Sequence, residues 1–283
     1  MSWVPIAREG VELWGRDVGD GPAVVFQHGL GGDEAQVAGV FPDGPFRRLT
    51  LECRAHGRSA AGDPGAFSFA TFARDVLAYA EARGVERFAV GGISMGAALA
   101  LRLAVEAPEP VTALILARPA WGWDAAPDNM RPFAEAAPFL GQSDREGFAA
   151  TATARRLAEE APDNLASLLG FFERPERATL AELIRAIAAD GPGVSEAAAR
   201  RLRAPTLVLG CEVDRVHPLA LAKMLAATIP RARFVELTPK ARDPARHAAE
   251  FREAVAGFLA EALPPRAGEG RAPSPALRGR GPG

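Results

Sequence analysis

Apolar residues along the chain fall into short continuous runs that alternate with longer amphipathic stretches. The runs at 23–27, 88–93 and 111–117 contain no regular polar alternation, which is typical of strands buried on both faces of a parallel sheet. Apolar positions at helical spacing predict a helix that begins after Ser68 and ends at Gly84. This alternation of strand and helix predicts a parallel sheet with helices on both faces.

The two ends of this pattern add further strands. Two short apolar stretches within residues 3–18 are separated by a turn and predict an opening hairpin. Further apolar runs predict strands at 47–53, 206–210 and 233–237. A helix is predicted after each of the last two strands.

Strand patterns are missing from the middle of the chain. Residues 118–203 carry several helix-capping signals and no convincing strand. We therefore predict a core made of residues 1–117 and 204–263, with residues 118–203 inserted as an all-helical lid. The stretch 264–283 is rich in Pro, Gly and Arg, and we predict that it is a disordered tail.

Composition excludes several classes of partner. The chain has 33 Lys and Arg against 35 Asp and Glu, a net charge of −2, and its basic residues form no patch, so we expect no binding to nucleic acid or to an anionic membrane. Neither a signal peptide nor a membrane-spanning run is visible, which favours a cytoplasmic location. The two cysteines, Cys53 and Cys211, are interpreted as buried thiols. The sequence gives no indication of oligomeric state.

A nucleophile motif stands between a predicted strand and a predicted helix. It reads Gly92-Ile93-Ser94-Met95-Gly96, which is the G-x-S-x-G pattern of a nucleophile elbow. A serine raised on so sharp a turn leaves no space for side chains two residues before and after it. The turn also exposes the Ser94 hydroxyl at a helix N-terminus, where backbone N–H groups and the helix dipole favour negative charge.

The order of elements and motifs resembles the α/β-hydrolase superfamily over about residues 10–263. That order is strand, His-Gly loop, strand, elbow, helical insertion, strand, acidic loop, strand and histidine. The resemblance implies an α/β fold class, with a mostly parallel central sheet flanked by helices and an all-helical cap insertion. It also implies a catalytic triad in the chain order Ser, Asp, His.

On this resemblance, Ser94 is the nucleophile, Asp214 is the acid and His247 is the base. His247 is the only histidine after the last predicted strand. A neutral imidazole would accept the serine proton during attack, and the carboxylate would orient that imidazole and stabilise its cation. The backbone N–H groups of Leu30 and Met95 are assigned to the oxyanion hole, because the negative charge of the tetrahedral intermediate needs two donors.

Two of these assignments have alternatives in the sequence. Glu212 lies in the same loop and could be the acid, with Asp214 capping the helix that follows. His247 could instead lie in the first turn of the last helix, because Asp243 and Pro244 have the pattern of an N-cap and its first helical residue.

The three other histidines receive non-catalytic interpretations. His28 shapes the loop after its strand, and His56 matches a structural turn motif of the family. His217 is interpreted as helix-start packing or as lining on the substrate side.

We expect the partner to be a small-molecule substrate. Arg118 could bind a substrate carboxylate or form a structural ion pair. Aromatic residues of the insertion and its approach, Trp121, Trp123 and Phe139 among them, could line an apolar cleft or form the core of the lid. We therefore predict hydrolysis of a small or medium-sized hydrophobic carboxylic ester, with no metal and no cofactor.

The same residues leave other functions open. A lactonase, a C–C bond hydrolase, a thioesterase or a cofactor-free perhydrolase would use the same constellation. A small-molecule receptor with a hydrolase fold is the alternative from another class.

Overall fold

An eight-stranded sheet forms the centre of the protein. The computed structural model describes residues 3–263, so the predicted tail at 264–283 lies outside the described residues. The strands are β1 (Trp3–Arg8), β2 (Val11–Val18), β3 (Ala23–Gln27), β4 (Arg47–Leu51), β5 (Phe88–Ile93), β6 (Val111–Ala117), β7 (Thr206–Cys211) and β8 (Ala232–Leu237). Their order across the sheet is β1-β2-β4-β3-β5-β6-β7-β8.

Strand direction confirms the predicted sheet. β1 pairs with β2 and β2 pairs with β4, both antiparallel, so the chain opens with a hairpin. The pairs from β4 to β8 are all parallel. Parallel neighbours require crossover connections, and the intervening segments supply them as helices.

The helices cover both faces of this sheet. In chain order they are α1 (Glu34–Ala38), α2 (Phe69–Ala82), α3 (Met95–Glu106), α4 (Arg131–Gly141), α5 (Arg145–Ala149), α6 (Ala152–Glu160), α7 (Pro162–Gly170), α8 (Arg177–Ala189), α9 (Glu196–Ala199), α10 (Leu219–Thr228) and α11 (Pro244–Ala262). Short 3₁₀ turns lie at Pro64–Ala66, Asp128–Met130 and Phe171–Glu173.

Successive strand residues enter two separate cores. In β3, Val25 belongs to the larger core, which includes Phe72 of α2 and Leu99 of α3. Phe26 belongs to the other core, together with Phe251 of α11. Because both faces are covered, the central strands need apolar side chains at every position, and this explains their continuous apolar runs.

We call the chain between β6 and β7 the helical insert (residues 118–205). The structure describes all of these residues, and they form helices α4 to α9 and no strand. Helices α4 and α8 pack against each other. Aromatic contacts support the insert from within, with the Phe148 ring 5.9 Å from Phe172 and 6.1 Å from Phe139. These rings belong to the larger core, so the insert packs onto the sheet and helices α2 and α3 through one continuous apolar cluster.

The cysteines and the helices bear on the expectations drawn from composition. Cys53 and Cys211 are buried and free, as predicted. Within residues 3–263, none of the helices has both the length and the apolar character needed to cross a membrane.

The turn from β5 into α3 is as sharp as the glycine spacing predicts. Ser94 has φ of 55° and ψ of −110°, a left-handed conformation that is costly for a residue with a side chain. A Cβ on Gly92 would lie 2.5 Å from the carbonyl carbon of Gly96, and a Cβ on Gly96 would lie 2.7 Å from that of Gln27. Both glycines are therefore required by backbone contacts.

We predict that Gly96→Ala lowers the free energy of unfolding by about 1–3 kcal/mol, because the new methyl group must displace the backbone of β3. Gly257→Ala is the matched control, since Gly257 is exposed in α11 and a Cβ there meets no atom within 4 Å. We expect this control to stabilise the protein by about 0.5–1 kcal/mol. Urea unfolding midpoints measure both effects, and a Gly96→Ala protein as stable as the parent would contradict the steric argument.

Candidate active site

A cavity of about 330 Å³ opens where the parallel strands end. The loops after β3, β5, β6, β7 and β8 all contribute to its wall, and the helical insert closes it from the other side. Ligands of parallel α/β sheets bind at this edge, outside the carboxyl ends of the strands. The polar and charged side chains in the wall are those of Asp33, Gln36, Ser94, Arg118, Asp163, Asn164, Ser167, Arg174, His217 and Lys240.

Ser94 lies at the floor of this cavity. Its N–H donates to the carbonyl oxygen of Ala117 at 3.0 Å, which ties the turn to the end of β6. The loop after β3 comes close on the other side, since a Cβ on Gly29 would lie 3.5 Å from the Cβ of Ser94. The side chain of Ser94 is thus held between two loops while it remains partly exposed to the cavity.

Two unpaired N–H groups flank Ser94. Within residues 3–263, the N–H groups of Leu30 and Met95 have no acceptor, whereas the N–H of Gly31 donates to Nε2 of His56 at 3.0 Å. Met95 is the first residue of α3, so its N–H is also one of the groups that a helix N-terminus leaves free. The two residues predicted for the oxyanion hole therefore carry free donors beside the serine.

Buried histidines hold the loop that carries Leu30. Nδ1 of His28 lies 2.9 Å from the carbonyl oxygen of Gly29, and its Nε2 accepts from the N–H of Cys53 at 3.1 Å. His56 has the same arrangement, with Nε2 accepting from Gly31. Each ring needs one donor and one acceptor nitrogen, so each is neutral. Burial lowers the pKa of His28 to about 4, and both rings have the structural role predicted for them.

The carboxylate of Asp214 is the centre of the polar network in the wall. Arg118 donates to Oδ2 through Nε at 3.0 Å and Nη2 at 2.6 Å, and Asn164 Nδ2 donates to Oδ1 at 3.0 Å. Nδ1 of His217 is 2.9 Å from both oxygens. Burial alone would favour the neutral acid, but the interactions with His217 and Arg118 outweigh it and hold the pKa of Asp214 well below its usual range.

The loop carrying Asp214 is held in a strained conformation. Val213 has φ of 58°, although β-branched residues avoid the left-handed region. Asn164 of α7 accepts at Oδ1 from the N–H groups of Arg215 at 2.8 Å and Val216 at 3.1 Å. The helical insert therefore fixes the acidic loop through one buried amide, a contact that no pattern in the sequence indicated.

His217 is the imidazole that Asp214 holds. With its proton on Nδ1, facing the carboxylate, the ring has its lone pair on Nε2, which is buried and has no partner among the described residues. Burial is the largest influence on the pKa of His217 and lowers it, so the ring is neutral near pH 7. His217 also lines the cavity with Ser94. Its position three residues after Asp214 was the available signal for this pairing.

The predicted pairing of Asp214 with His247 is not present and needs correction. His247 lies in the first turns of α11, where Asp243 caps the helix by accepting from the N–H of Arg246. Nδ1 of His247 lies 2.8 Å from the carbonyl oxygen of Thr238, so the nitrogen that would face the acid is already bonded. From the loop after β8, the residue that reaches the cavity wall is Lys240.

Of the residues predicted to bind substrate, Arg118 lines the cavity and the three aromatic residues pack in the core. Arg118 forms the ion pair with Asp214, the second of its two predicted roles. Trp121 is buried against Phe69 and donates to the carbonyl oxygen of Asp190 at 3.1 Å, while Trp123 and Phe139 pack against the larger core. None of these three aromatic rings lines the described cavity. Its apolar side chains are those of Leu30, Ile93, Phe133, Phe171 and Val216.

Comparison with known proteins agrees with this architecture. A family model described as alpha/beta hydrolase fold matches residues 22–244. A protein of Klebsiella pneumoniae (strain 342) that carries the name "Putative carbamate hydrolase RutD" is 29% identical over 231 residues, which are 76% of this chain and 82% of that protein.

Solved structures share the fold over nearly the whole chain. The enol-lactonase from Burkholderia xenovorans LB400 is 25% identical with a TM-score of 0.66, covering 90% of this chain and 99% of that one. A thermophilic esterase from Thermogutta terrifontis is 22% identical with a TM-score of 0.70, covering 91% and 99%.

We predict that the protein loses stability between pH 6.5 and pH 4 because His28 must take up a proton on unfolding. Its pKa is about 4 when folded and 6.5 when free, so the unfolded chain binds more protons in this interval and the free energy of unfolding decreases as the pH is lowered. The expected contribution is about 3 kcal/mol. His28→Gln should show a smaller fall in urea unfolding measured at several pH values, and an identical pH dependence would contradict the assignment.

We predict that Asn164→Leu lowers the free energy of unfolding by about 2–3 kcal/mol, because it removes the acceptor of the Arg215 and Val216 N–H groups and one of the donors to Oδ1 of Asp214. Ser167→Ala is the control, since this exposed hydroxyl on the same helix bonds only within α7. Chemical unfolding measures both. Equal midpoints for the two variants would show that Asn164 is not what joins the insert to the acidic loop.

Proposed function

The chain belongs to the α/β-hydrolase-fold family, and from this premise we propose that it cleaves a small or medium-sized hydrophobic carboxylic ester through an acyl-enzyme on Ser94. One observation carries the proposal. Ser94 stands on its strained turn at the floor of the cavity, and the N–H groups of Leu30 and Met95 beside it have no acceptor within the described residues. A nucleophile next to two free donors suits acyl transfer.

The reaction would proceed in two halves. The oxygen of Ser94 attacks the ester carbonyl carbon while an imidazole accepts the hydroxyl proton, and the resulting oxyanion is held by Leu30 and Met95. The intermediate collapses, and the departing alkoxide takes the proton from the imidazolium. A water molecule then attacks the acyl-enzyme by the same steps and releases the acid. Asp214 stabilises the imidazolium throughout.

The wall of the cavity supports a substrate with a modest apolar part. Phe133 and Phe171 have ring centroids 6.0 Å apart and line the cavity together with the apolar side chains of Leu30, Ile93 and Val216. A cavity of about 330 Å³ suits a short acyl or aromatic group. Because Phe133 and Phe171 belong to the helical insert, we propose that the insert acts as the lid that excludes water from the reaction.

Other bonds to an acyl carbon pass through the same tetrahedral intermediate. The names of the similar proteins include a carbamate hydrolase, an enol-lactonase and an esterase. Carbamates and lactones, along with thioesters, therefore belong in any substrate panel, as do a C–C bond substrate and a perhydrolase assay.

A receptor with the same fold is the alternative from another class. Such a protein would bind its ligand and turn over slowly or not at all. Ligand-induced thermal stabilisation without repeated turnover would favour the receptor, whereas repeated turnover favours the enzyme.

We expect p-nitrophenyl acetate and butyrate to give a burst of p-nitrophenol equal to one equivalent of protein, followed by slower steady turnover, because the acyl-enzyme forms faster than it hydrolyses. Ser94→Ala should abolish the burst and lower kcat by at least about 10³-fold. Ser167→Ala, which removes an exposed hydroxyl from the same cavity wall, should leave both phases unchanged. A burst that persists in Ser94→Ala would refute the proposal.

A further inference from the structure

We propose that the general base of this hydrolase is His217, on the same loop as the acid, and that His247 has no part in proton transfer. The inference rests on the proposed function, because it concerns the proton of Ser94. It departs from the order of residues expected from the sequence, in which the base follows the last strand.

The orientation of the His217 ring is what a general base requires. Nδ1 lies 2.9 Å from both oxygens of Asp214, and Arg118 and Asn164 also donate to those oxygens. Nη2 of Arg118 lies 3.2 Å from Nδ1 as well, but an ionised carboxylate only accepts, so Nδ1 must carry a proton toward Asp214. The proton on Nδ1 leaves Nε2 as the basic nitrogen. The carboxylate also stands where it can stabilise a positive charge on the ring during the reaction.

The free nitrogen of this ring needs a partner that the resting protein does not provide. Nε2 of His217 is buried, and no donor reaches it among the described residues. A buried polar atom left unpaired is costly. His217 and Ser94 line the same cavity. We therefore infer that the Ser94 hydroxyl donates a hydrogen bond to Nε2 of His217 when substrate is bound.

Ser94 and His217 form no hydrogen bond in the unliganded protein, within the residues described. Catalytic hydrogen bonds are often long in this state and shorten in the complex with substrate. During attack, the Ser94 oxygen forms its bond to the carbonyl carbon, the carbonyl electron pair moves to the oxygen, and the serine proton moves to Nε2. The same proton then passes to the leaving alkoxide as the carbon–oxygen bond breaks.

The described contacts of His247 stabilise the loop after β8 and do not reach the cavity. Its Nδ1 is bonded to the carbonyl oxygen of Thr238 at 2.8 Å, and Thr238 is also bonded to Glu250 through both its N–H and its hydroxyl. These bonds pin the loop after β8 to α11. His247 is absent from the described cavity wall, where this loop contributes Lys240.

The test compares His217→Gln and His247→Gln with the unmodified protein in the p-nitrophenyl butyrate burst assay. We expect His217→Gln to lower the burst rate about 10²- to 10⁴-fold with little change in KM. His247→Gln should stay within about threefold of the parent. A loss confined to His247→Gln would overturn the inference and identify His247 as the base.

A second measurement separates chemistry from folding. The kcat/KM of the parent should decrease as the pH is lowered, because the base becomes protonated. That fall should persist in His247→Gln. Added imidazole should restore part of the burst rate in His217→Ala and have no effect on His247→Ala. If the unfolding midpoint of His217→Ala equals that of the parent and imidazole restores nothing, the assignment is wrong.

The outcomes also separate this inference from the proposed function. Intact mass measurement of the parent with p-nitrophenyl butyrate detects a butyryl group on Ser94. If the parent is acylated and His217→Gln is acylated equally fast, only the base assignment fails. If the parent is not acylated, the proposed function itself fails.

Discussion

The close approach of α3 to the end of β3 is the constraint on which the rest of the site depends. The backbone of Gly96 sits against the carbonyl group of Gln27, where a Cβ would overlap it. This contact brings the N-terminus of the helix next to the loop that contains Leu30. Two N–H groups from distant parts of the chain thereby come to flank one serine. The strained φ of Ser94 is maintained because both neighbouring loops are packed around it.

The second constraint is the buried charge of Asp214. A carboxylate in this position is stable only with donors on every side, and Arg118, His217 and Asn164 supply them from three different segments. Arg118 neutralises the charge while His217 keeps one nitrogen free. The same network that stabilises the acidic loop therefore holds a neutral imidazole in the cavity wall, so the stability of the loop and the chemistry proposed for it have one physical origin.

Local patterns predicted the fold well, whereas side-chain pairing across the site needed the structure. The strand at 88–93 and the cap at Ser68 depend on neighbouring residues and were predicted at the residue level. The three-residue spacing from Asp214 to His217 was the available signal for their pairing, but it did not exclude His247, because the position of His247 depends on how the loop after β8 folds back on α11. The same holds for Trp121, since helical spacing does not show whether a ring faces a cavity or another helix.

The loop after β8 explains why His247 does not face Asp214 although the fold is the expected one. Thr238 is bonded to both His247 and Glu250, so the segment closes onto α11 directly after the strand ends. With the loop held there, the His247 ring is hydrogen-bonded to the carbonyl oxygen of Thr238. Lys240, and not His247, lies in the cavity wall. The proposed acyl transfer requires an imidazole near Asp214, and His217 lies 2.9 Å from that carboxylate within the acidic loop itself. A base on the same loop as its carboxylate is oriented directly by that carboxylate, and the contacts of Arg118 and Asn164 with Asp214 then fix the position of both residues.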